Sequence, residues 1–400
     1  MISNEFVSLR RNIIENEFSS LNDMQKKAVL STEGPLLVLA GAGSGKTTVL
    51  VNRIANIMKY GRAYYSDEAA YEPSENELSL MRAAANGEVS ADELFDIEPL
   101  LSVSPAKPWE ILAITFTNKA AGELKERLER MLGEQARDIW ASTFHSACVR
   151  MLRRNAENIG YSSNFTIYDT DDSKRVIKDC IKQLGFSDKI LTPKTCLGEI
   201  SRAKDSLLSP EEYTQQNYVD IMKRNVGAVY ASYQARLKAA DAMDFDDIIV
   251  NAVRLLQSND EVLGYYQRKF RYIMVDEYQD TNHAQYLLTS LLAGGYKNLC
   301  VVGDDDQSIY KFRGATIENI LSFEHQYQNA KVIRLEQNYR STQNILDAAN
   351  SVIANNTNRK GKNLWTDNGA GSPISYHIAE SDRDESFYIA DKILDGIRNG

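Results

Sequence analysis

The chain has 400 residues, 43% of them hydrophobic and 25% charged, which indicates an ordinary globular protein of two or three domains. The net charge of −9 arises within residues 64–104, which hold ten acidic residues against one basic residue, Arg82, so the balanced remainder can still carry a basic groove for nucleic acid. No apolar run is long enough to span a membrane and the N-terminus lacks a signal-peptide core, so we expect a cytoplasmic protein with no membrane partner. The four cysteines form no C-x-x-C pair, which excludes a zinc site of that spacing and favours buried, reduced thiols.

Short apolar runs followed by amphipathic, helix-like stretches recur along the chain. They predict an α/β fold with a parallel sheet that helices cover on both faces. The predicted strands are residues 35–40, 110–117, 138–144, 271–277 and 297–304. Ligands of such sheets bind at the carboxyl ends of the strands, so the residues that follow each run are the candidates for chemistry.

The segments between and after these strands indicate the domain organisation. Residues 1–154 and 245–330 are predicted to form one α/β domain, into which residues 155–244 are inserted as a helical subdomain. The acidic segment, about residues 64–104, is predicted to be a second insertion that forms a partly mobile excursion on the surface. Residues 331–400 open with the strand-like KVIRL and are predicted to start a further α/β domain that is incomplete in this sequence.

The stretch AGAGSGKTT, residues 40–48, matches a phosphate-binding loop, with Ala40 where the strict G-x-x-x-x-G-K-[ST] pattern has glycine. Its glycines allow backbone N–H groups to curl around phosphate oxygens, Lys46 can reach the β- and γ-phosphates, and the Thr47 hydroxyl can bind Mg²⁺. The alternative is a glycine-rich turn before a helix. The predicted nucleotide-binding residues of this loop are Gly41, Ala42, Gly43, Ser44, Gly45, Lys46, Thr47 and Thr48.

The stretch YIMVDEYQDT, residues 272–281, ends an apolar strand in two adjacent carboxylates. Because adjacent side chains on a strand point to opposite faces, Asp276 can hold Mg²⁺ while Glu277 acts as general base on the attacking water. The alternative is a strand that runs into an acidic turn. A phosphate loop needs a second strand that ends in a metal-binding carboxylate, so each of the two motifs favours the other.

Several side chains outside the loop are candidates for nucleotide recognition. Gln25 can pair with the edge of adenine, but Asn22 and Gln25 also have the N-x-x-Q spacing of a helix capping box, which the isolated stretch favours. Gln307, in VVGDDDQSIYKFRGA, can hydrogen-bond a γ-phosphate and report its loss. In RLEQNYRST, Tyr339 can stack on adenine and Arg340 can stabilise charge at the γ-phosphate.

Aromatic and polar residues after three of the predicted strands suit a single-stranded nucleic acid. Tyr310, Phe312 and Arg313 place two rings and a cation within four residues, which favours base stacking, although a core aromatic cluster is the alternative. His145, taken alone, is more typical of a structural or capping histidine. The predicted DNA-binding residues are Phe116, Asn118, His145, Tyr310, Phe312 and Arg313.

Taken together and in this order, AGAGSGKT, TFTNKAA, STFHS, VDEYQDTN, GDDDQSIYKFRGA and QNYRST resemble the superfamily 1 DNA helicases of the UvrD/Rep/PcrA type. The resemblance covers about residues 18–400 except the acidic insertion. It implies RecA-like P-loop NTPase domains with inserted helical subdomains, and ATP with Mg²⁺ bound between two such domains. It also implies a motor that moves 3′ to 5′ on single-stranded DNA and unwinds duplex DNA, with repair or replication proteins as partners.

The resemblance also assigns roles to individual residues. Gln25 would read adenine while also capping its helix, and Tyr339 would stack on the base. Thr47 and Asp276 would hold the metal. The implied catalytic residues are Lys46, Asp276, Glu277, Gln307 and Arg340.

The sequence departs from the family pattern in places. Many relatives have Trp at the position of Phe312 and Arg at the position of Thr48, so weaker stacking and one fewer basic contact are expected. The family's later motifs, including a second arginine for the γ-phosphate, are absent, and we expect an amino-terminal fragment that hydrolyses ATP slowly. The alternatives are the helicase subunit of an AddA- or RecB-type helicase–nuclease and a non-catalytic module switched by ATP.

Overall fold

The computed structural model describes residues 3–187, 189–357 and 359–399, and the side chains of Ala91 and Arg313 lie outside this description. The strands are β1 Leu36–Ala40, β2 Ile111–Thr115, β3 Trp140–Thr143, β4 Thr166–Ile167, β5 Ala242–Met243, β6 Tyr272–Val275, β7 Leu299–Gly303 and β8 Lys331–Leu335. The α-helices are α1 Asn4–Glu17, α2 Asp23–Leu30, α3 Lys46–Lys59, α4 Glu75–Ala85, α5 Ala91–Leu101, α6 Asn118–Leu132, α7 Phe144–Asn155, α8 Thr170–Gln183, α9 Pro193–Asp205, α10 Pro210–Gln216, α11 Ile221–Ala239, α12 Phe245–Ser258, α13 Asp260–Lys269, α14 His283–Ala293, α15 Glu318–Leu321, α16 Phe323–Gln326, α17 Gln343–Ile353 and α18 Asp382–Asn399.

The main sheet has six strands in the order β3-β2-β6-β7-β1-β8, and all neighbouring strands run parallel. The predicted α/β class with a parallel sheet is therefore confirmed. Leu36, Val38 and Ala40 of β1 belong to one hydrophobic core, whereas Leu37 and Leu39 belong to the core on the opposite face. Because both faces are covered, β1 reads as a continuous apolar run instead of an alternating one.

Strand β8 corrects one sequence-based expectation. The sequence predicts that KVIRL opens a second α/β domain, but β8 pairs with β1 at the edge of the first sheet. Ile333 and Leu335 are buried in the same core as Leu36, whereas Val332, on the opposite face, packs against the other core and Arg334 is exposed. The strand prediction is right, but the strand joins the first sheet, and the start of a further domain near this point stays a prediction.

The acidic segment is folded against the body of the protein. Its two helices, α4 and α5, pack on α1, and Met81, Ile97 and Leu100 are fully buried in the same core as β1. Glu77 and Glu93 complete capping boxes at the starts of the two helices, which accounts for part of the acidic composition. The predicted insertion is therefore packed on the body of the protein, because apolar residues of α4 and α5 fall on one buried face, and its mobility stays a prediction.

The helical subdomain is inserted between α7 and α12. Its helices α8 to α11 surround a separate core that includes Ile177, Tyr230 and Tyr233. The chain enters and leaves through the short parallel strands β4 and β5. Lys204 at the end of α9 forms ion pairs with Asp244 and Asp247 at the start of α12, at 2.6 and 2.9 Å, and so ties the subdomain to the sheet domain.

The thiols and the helices agree with the composition. All four cysteines are buried and unpaired, at positions 148, 180, 196 and 300. Within the described ranges, no helix combines the length and the apolar character that crossing a membrane requires.

Candidate nucleotide site and nucleic-acid groove

The glycine-rich loop lies between β1 and α3, as the sequence predicts. Gly43 and Gly45 have φ values of +68° and +86°, a backbone region that glycine adopts without strain. A Cβ atom on Gly45 would lie 2.7 Å from Nε2 of Gln25, and one on Gly43 would lie 2.8 Å from Cβ of Arg340. The Ser44 hydroxyl closes the loop by donating to the Gly41 carbonyl oxygen at 2.7 Å. Both backbone shape and space therefore require these glycines.

Gln25 forms the predicted helix cap and also contacts the loop. Its Oε1 accepts from the Asn22 backbone N–H at 3.2 Å, and the Asn22 side chain accepts from the Gln25 backbone N–H at 2.8 Å. Its Nε2 donates to the Ser44 carbonyl oxygen at 2.9 Å. The capping alternative is thus confirmed, and the amide lies beside the phosphate loop, where adenine recognition by Gln25 stays a prediction.

Lys46, Asp276 and Glu277 come together at the ends of β1 and β6. The Lys46 ammonium lies 2.7 Å from Oε2 of Glu277. Asp276 is partly buried, and its Oδ1 accepts from the Glu277 backbone N–H at 2.9 Å. The acidic-turn alternative does not account for the lysine, which is 231 residues distant along the chain.

The backbone of Glu277 differs from the strand geometry that the sequence suggests. Strand β6 ends at Val275, and Glu277 has a φ of +50°, in the left-handed region that non-glycine residues rarely adopt. The direction of its side chain is therefore set by a turn and not by alternation along a strand. Strained backbone of this kind is common at functional sites.

The electrostatics of this cluster suit a divalent cation. Burial, then the charge of Glu277, raises the pKa of Asp276 to about 6, although Lys46 opposes the change. The same two causes raise the pKa of Asp280 to about 6. Three carboxylates against one lysine leave an excess of negative charge on oxygen atoms, which is the donor set that Mg²⁺ prefers, and Thr47 adds a hydroxyl at the start of α3.

Gln307 is exposed after β7, and a second glutamine connects it to the lysine. Nε2 of Gln307 donates to Oδ2 of Asp304 at 2.5 Å. Oε1 of Gln279 accepts from the Asp304 backbone N–H at 2.9 Å, and its Nε2 donates to Oε2 of Glu277 at 2.9 Å. Sequence reasoning missed Gln279 and Asp304, although both stand within the VDEYQDT and GDDDQ motifs.

The segment that follows β8 docks on the phosphate loop through Asn338, which sequence reasoning also missed. Its Nδ2 donates to the Ala42 carbonyl oxygen at 2.6 Å, and its Oδ1 accepts from the Arg340 backbone N–H at 2.8 Å. The Tyr339 backbone N–H donates to the Gly43 carbonyl oxygen at 3.0 Å. Tyr339 and Arg340 are thereby held beside the loop.

The aromatic residues predicted to bind DNA meet in one groove of about 560 Å³ between the sheet domain and the helical subdomain. Phe116, His145, Tyr310 and Phe312 line this groove, and Phe312 is 73% exposed. The core-cluster alternative is therefore wrong for Phe312. Asn118 is exposed at the start of α6 outside the lining, and the Arg313 side chain lies outside the described residues.

The lining of this groove is more acidic than the sequence suggests. Asp205, Asp246 and Asp280 stand against Arg202 and Lys204. Burial, then the charge of Asp246, raises the pKa of Asp205 to about 7, which lets its carboxyl be neutral near neutral pH. The groove therefore offers aromatic faces more than positive charge.

Comparison with known proteins identifies the family. The family model described as "UvrD/REP helicase N-terminal domain" matches residues 21–67 and 96–328, and "UvrD-like helicase C-terminal domain" matches residues 333–399. The chain belongs to the UvrD/REP helicase family. The interval between the first two matched segments, residues 68–95, contains α4 and the start of α5, within the acidic insertion.

Curated relatives of this family member are similar over nearly all of the chain. The "ATP-dependent DNA helicase PcrA" of Bacillus subtilis (strain 168) is 49% identical over 385 residues, which are 96% of this chain and 46% of the relative. The proteins of the same name from Staphylococcus epidermidis (strain ATCC 12228) and Staphylococcus aureus (strain NCTC 8325) are each 48% identical over 95% of this chain and 46% of their own length. The chain thus spans about half the length of these relatives.

Proposed function

We propose that this chain forms the ATP site of a DNA motor that moves 3′ to 5′ on single-stranded DNA and unwinds duplexes in repair or replication. The observation that carries the proposal is the ion pair between Lys46 of the glycine loop and Glu277, beside Asp276. In a member of a helicase family, a lysine after β1 and two carboxylates after β6 supply the parts that phosphoryl transfer to water needs.

The ion pair indicates how the site responds to nucleotide. Without a phosphate, the Lys46 ammonium neutralises Glu277 at 2.7 Å. The γ-phosphate of ATP, with more negative charge, competes for Lys46 and leaves Glu277 free to accept a proton from water. Thr47 and Asp276 would hold Mg²⁺, which neutralises charge on the phosphates when bound.

The remaining predicted residues surround this centre. Gln25 and Tyr339 both lie near Asn22, whose Nδ2 donates to the Tyr339 hydroxyl at 2.7 Å. These two side chains are proposed to hold the adenine. Gln307 and Arg340 are proposed to contact the γ-phosphate. Loss of that phosphate would release both residues and change how the segment after β8 contacts the glycine loop.

The groove between the sheet domain and the helical subdomain is the proposed path of single-stranded DNA. Exposed Phe312 and partly exposed Tyr310 offer faces on which successive bases can stack. Repair or replication proteins are proposed as partners from the family alone. The helicase–nuclease and non-catalytic alternatives have no observation here that favours them.

Two variants test the proposed ATP site. Lys46→Ala should weaken binding of a fluorescent ATP analogue by roughly tenfold or more, since a charge-assisted contact is lost. Lys59→Ala is the matched control, because Lys59 lies on the same helix and pairs with Glu17 at the surface. Equal binding by wild type and Lys46→Ala would contradict the proposal.

The second variant separates binding from chemistry. Glu277→Gln should bind ATP as well as wild type but lower DNA-stimulated hydrolysis by about 10²–10⁴, the usual contribution of a general base. A steady-state phosphate-release assay with and without an oligonucleotide measures this. Unchanged hydrolysis in Glu277→Gln would exclude Glu277 as the general base. Wild-type hydrolysis that DNA does not accelerate would contradict the proposed DNA motor.

A further inference from the structure

A buried cluster of charges lies behind Gln307 and shares only Asp304 with the site described so far. The Lys362 ammonium lies 2.6 Å from Oδ1 of Asp304, 2.6 Å from Oδ1 of Asp305 and 2.7 Å from Oδ2 of Asp306. Arg359 adds a second cation, donating from Nη2 to Oδ2 of Asp306 at 2.7 Å. The side chains of Lys362, Asp304 and Asp305 are 1%, 3% and 1% exposed.

The Lys362 ammonium lies among three carboxylates whose spacing could otherwise hold a cation. Oxygen atoms of the three consecutive aspartates lie within 4.8 Å of one another, a spacing compatible with a cation site. The Lys362 ammonium contacts all three carboxylates, so the charge is already balanced from within the chain. Burial lowers the pKa of Lys362, but the three carboxylates outweigh burial and the pKa is raised, which keeps the ammonium charged.

The cluster joins two parts of the chain that are far apart in sequence. Asp304 to Asp306 follow β7, beside the nucleotide site, whereas Lys362 follows α17. The Lys360 backbone N–H also donates to Oδ2 of Asp305 at 2.7 Å. The segment at residues 359–362 is therefore fixed to the end of β7 by side-chain and backbone contacts.

The two carboxylate oxygen atoms of Asp304 contact two different side chains. Oδ1 accepts from Lys362 at 2.6 Å, and Oδ2 accepts from Nε2 of Gln307 at 2.5 Å. A carboxylate held by a buried ammonium has a fixed orientation, so the direction of the Gln307 amide depends on Lys362. Asp304 also donates its backbone N–H to Gln279, which reaches Glu277, so the path continues to Lys46.

We propose that Lys362 is a positioning residue that orients Gln307 through Asp304 and so couples recognition of the γ-phosphate to the segment after α17. This inference rests on the proposed ATP site and deepens it. Lys362 does not touch the nucleotide. Its effect should appear in the discrimination between ATP and ADP, because Gln307 contacts the phosphate that distinguishes them.

The test compares the affinities of the 400-residue chain for ADP and for a non-hydrolysable ATP analogue. Wild type should prefer the triphosphate, and Gln307→Ala and Lys362→Met should each reduce that preference about tenfold, the effect of one hydrogen bond to a charged group. The double variant Gln307→Ala/Lys362→Met should lose no more of the preference for the triphosphate than Gln307→Ala alone, since both changes act on one contact. Lys360→Met is the matched control, because its ammonium pairs with Glu324 outside the cluster.

A ratio of two affinities separates positioning from mere destabilisation, because both nucleotides bind the same folded fraction. Lys362→Met leaves the buried carboxylates with less neutralisation, so Lys362→Met/Asp305→Asn provides a variant with the wild-type net charge. If this second variant also loses the preference, the link to Asp304 is what matters.

The outcomes separate the two claims. A preference equal to wild type in Lys362→Met, or restored in the charge-matched double variant, would overturn the positioning role while leaving the ATP site intact. Equal wild-type affinities for the two nucleotides would do the same. Failure of wild type to bind either nucleotide would overturn the proposed ATP site, and the positioning role with it.

Discussion

Two buried lysines of this molecule have the same chemistry and different surroundings. Lys204 is fully buried and pairs with Asp244 and Asp247 at 2.6 and 2.9 Å, and Lys362 is 1% exposed and pairs with three consecutive aspartates. Burial lowers the pKa of Lys204, but Asp244 and Asp247 outweigh burial and the pKa is raised, as it is for Lys362. Both ammonium groups therefore stay charged although they are buried.

The two lysines differ in the further contacts that their aspartate partners make. Asp244 and Asp247 form the capping box at the start of α12, and Asp244 also accepts from the Tyr233 hydroxyl at 2.9 Å, so the Lys204 contacts end in helix caps and core aromatic rings. The Lys362 contacts continue through Asp304 to Gln307. Both ion pairs thus fix how elements join: the Lys204 pair lies beside the proposed nucleic-acid groove, and the Lys362 cluster lies behind Gln307, whose contact with the γ-phosphate is a proposal.

The largest effect should come from Lys204→Met. Removing one partner of a buried ion pair leaves uncompensated charge, so the free energy of unfolding should fall by about 3–5 kcal/mol. Urea denaturation of variant and wild type measures the change. Lys174→Met is the control, because Lys174 pairs with Asp171 on an exposed helix face, and it should change stability by less than about 0.5 kcal/mol. A loss below about 1 kcal/mol in Lys204→Met would show that the pair is not what joins the subdomain.

A smaller effect, dependent on pH, is expected at the same junction from Asp205→Asn. The Asp205 pKa is about 7 in the folded protein against 3.8 as its ordinary value, with Asp246 as the facing charge and Asn282 as hydrogen-bond partner. Between about pH 4 and 7 the Asp205 carboxyl is therefore protonated in the folded state and ionised in the unfolded state. The free energy of unfolding of wild type falls as the pH rises through that window.

The neutral amide in Asp205→Asn removes this dependence. The variant should match wild type near pH 4 and exceed it above pH 7 by roughly 2 kcal/mol, less than the about 4 kcal/mol of the full shift because the side chain is only partly buried. Unfolding curves at pH 5 and pH 8 give the difference. A stability gap that does not grow with pH would contradict the raised pKa.

The smallest effect should come from Lys360→Met, at the rim of the Lys362 cluster. Its ammonium pairs with Glu324, which is 51% exposed, and such pairs contribute only about 0–1 kcal/mol. Thermal unfolding of this variant sets the scale for the neighbouring buried lysine. A loss as large as that of Lys204→Met would mean that exposure does not separate the two classes of ion pair.

The sequence predicted the local features well, because each motif carries its own geometry. The glycine loop, the Asn22–Gln25 cap and the carboxylates after β6 all follow from short-range spacing, and the family follows from their order. The tertiary contacts of these residues could not be predicted from the sequence. Nothing in the RKGK stretch predicts that Lys362 enters an aspartate triad more than 50 residues earlier in the chain, and Asn338 reads as one polar residue among several.

The sheet that β8 joins could not be predicted for a related reason. KVIRL has the pattern of a strand, but pattern alone does not state which sheet a strand joins, and β8 joins the first. The acidic segment has apolar residues among its many carboxylates, but only the packing shows that Met81 and Ile97 fall on the face that meets the core.

The most direct test of the central claim is to locate the metal. A crystal of the chain grown with a non-hydrolysable ATP analogue and Mn²⁺ in place of Mg²⁺ would show the ion by its anomalous scattering. We expect one peak beside the phosphates, between the Thr47 hydroxyl and the Asp276 carboxylate, with Lys46 moved from Glu277 to the nucleotide. A peak among Asp304, Asp305 and Asp306 instead, or a nucleotide bound away from Lys46, would contradict it.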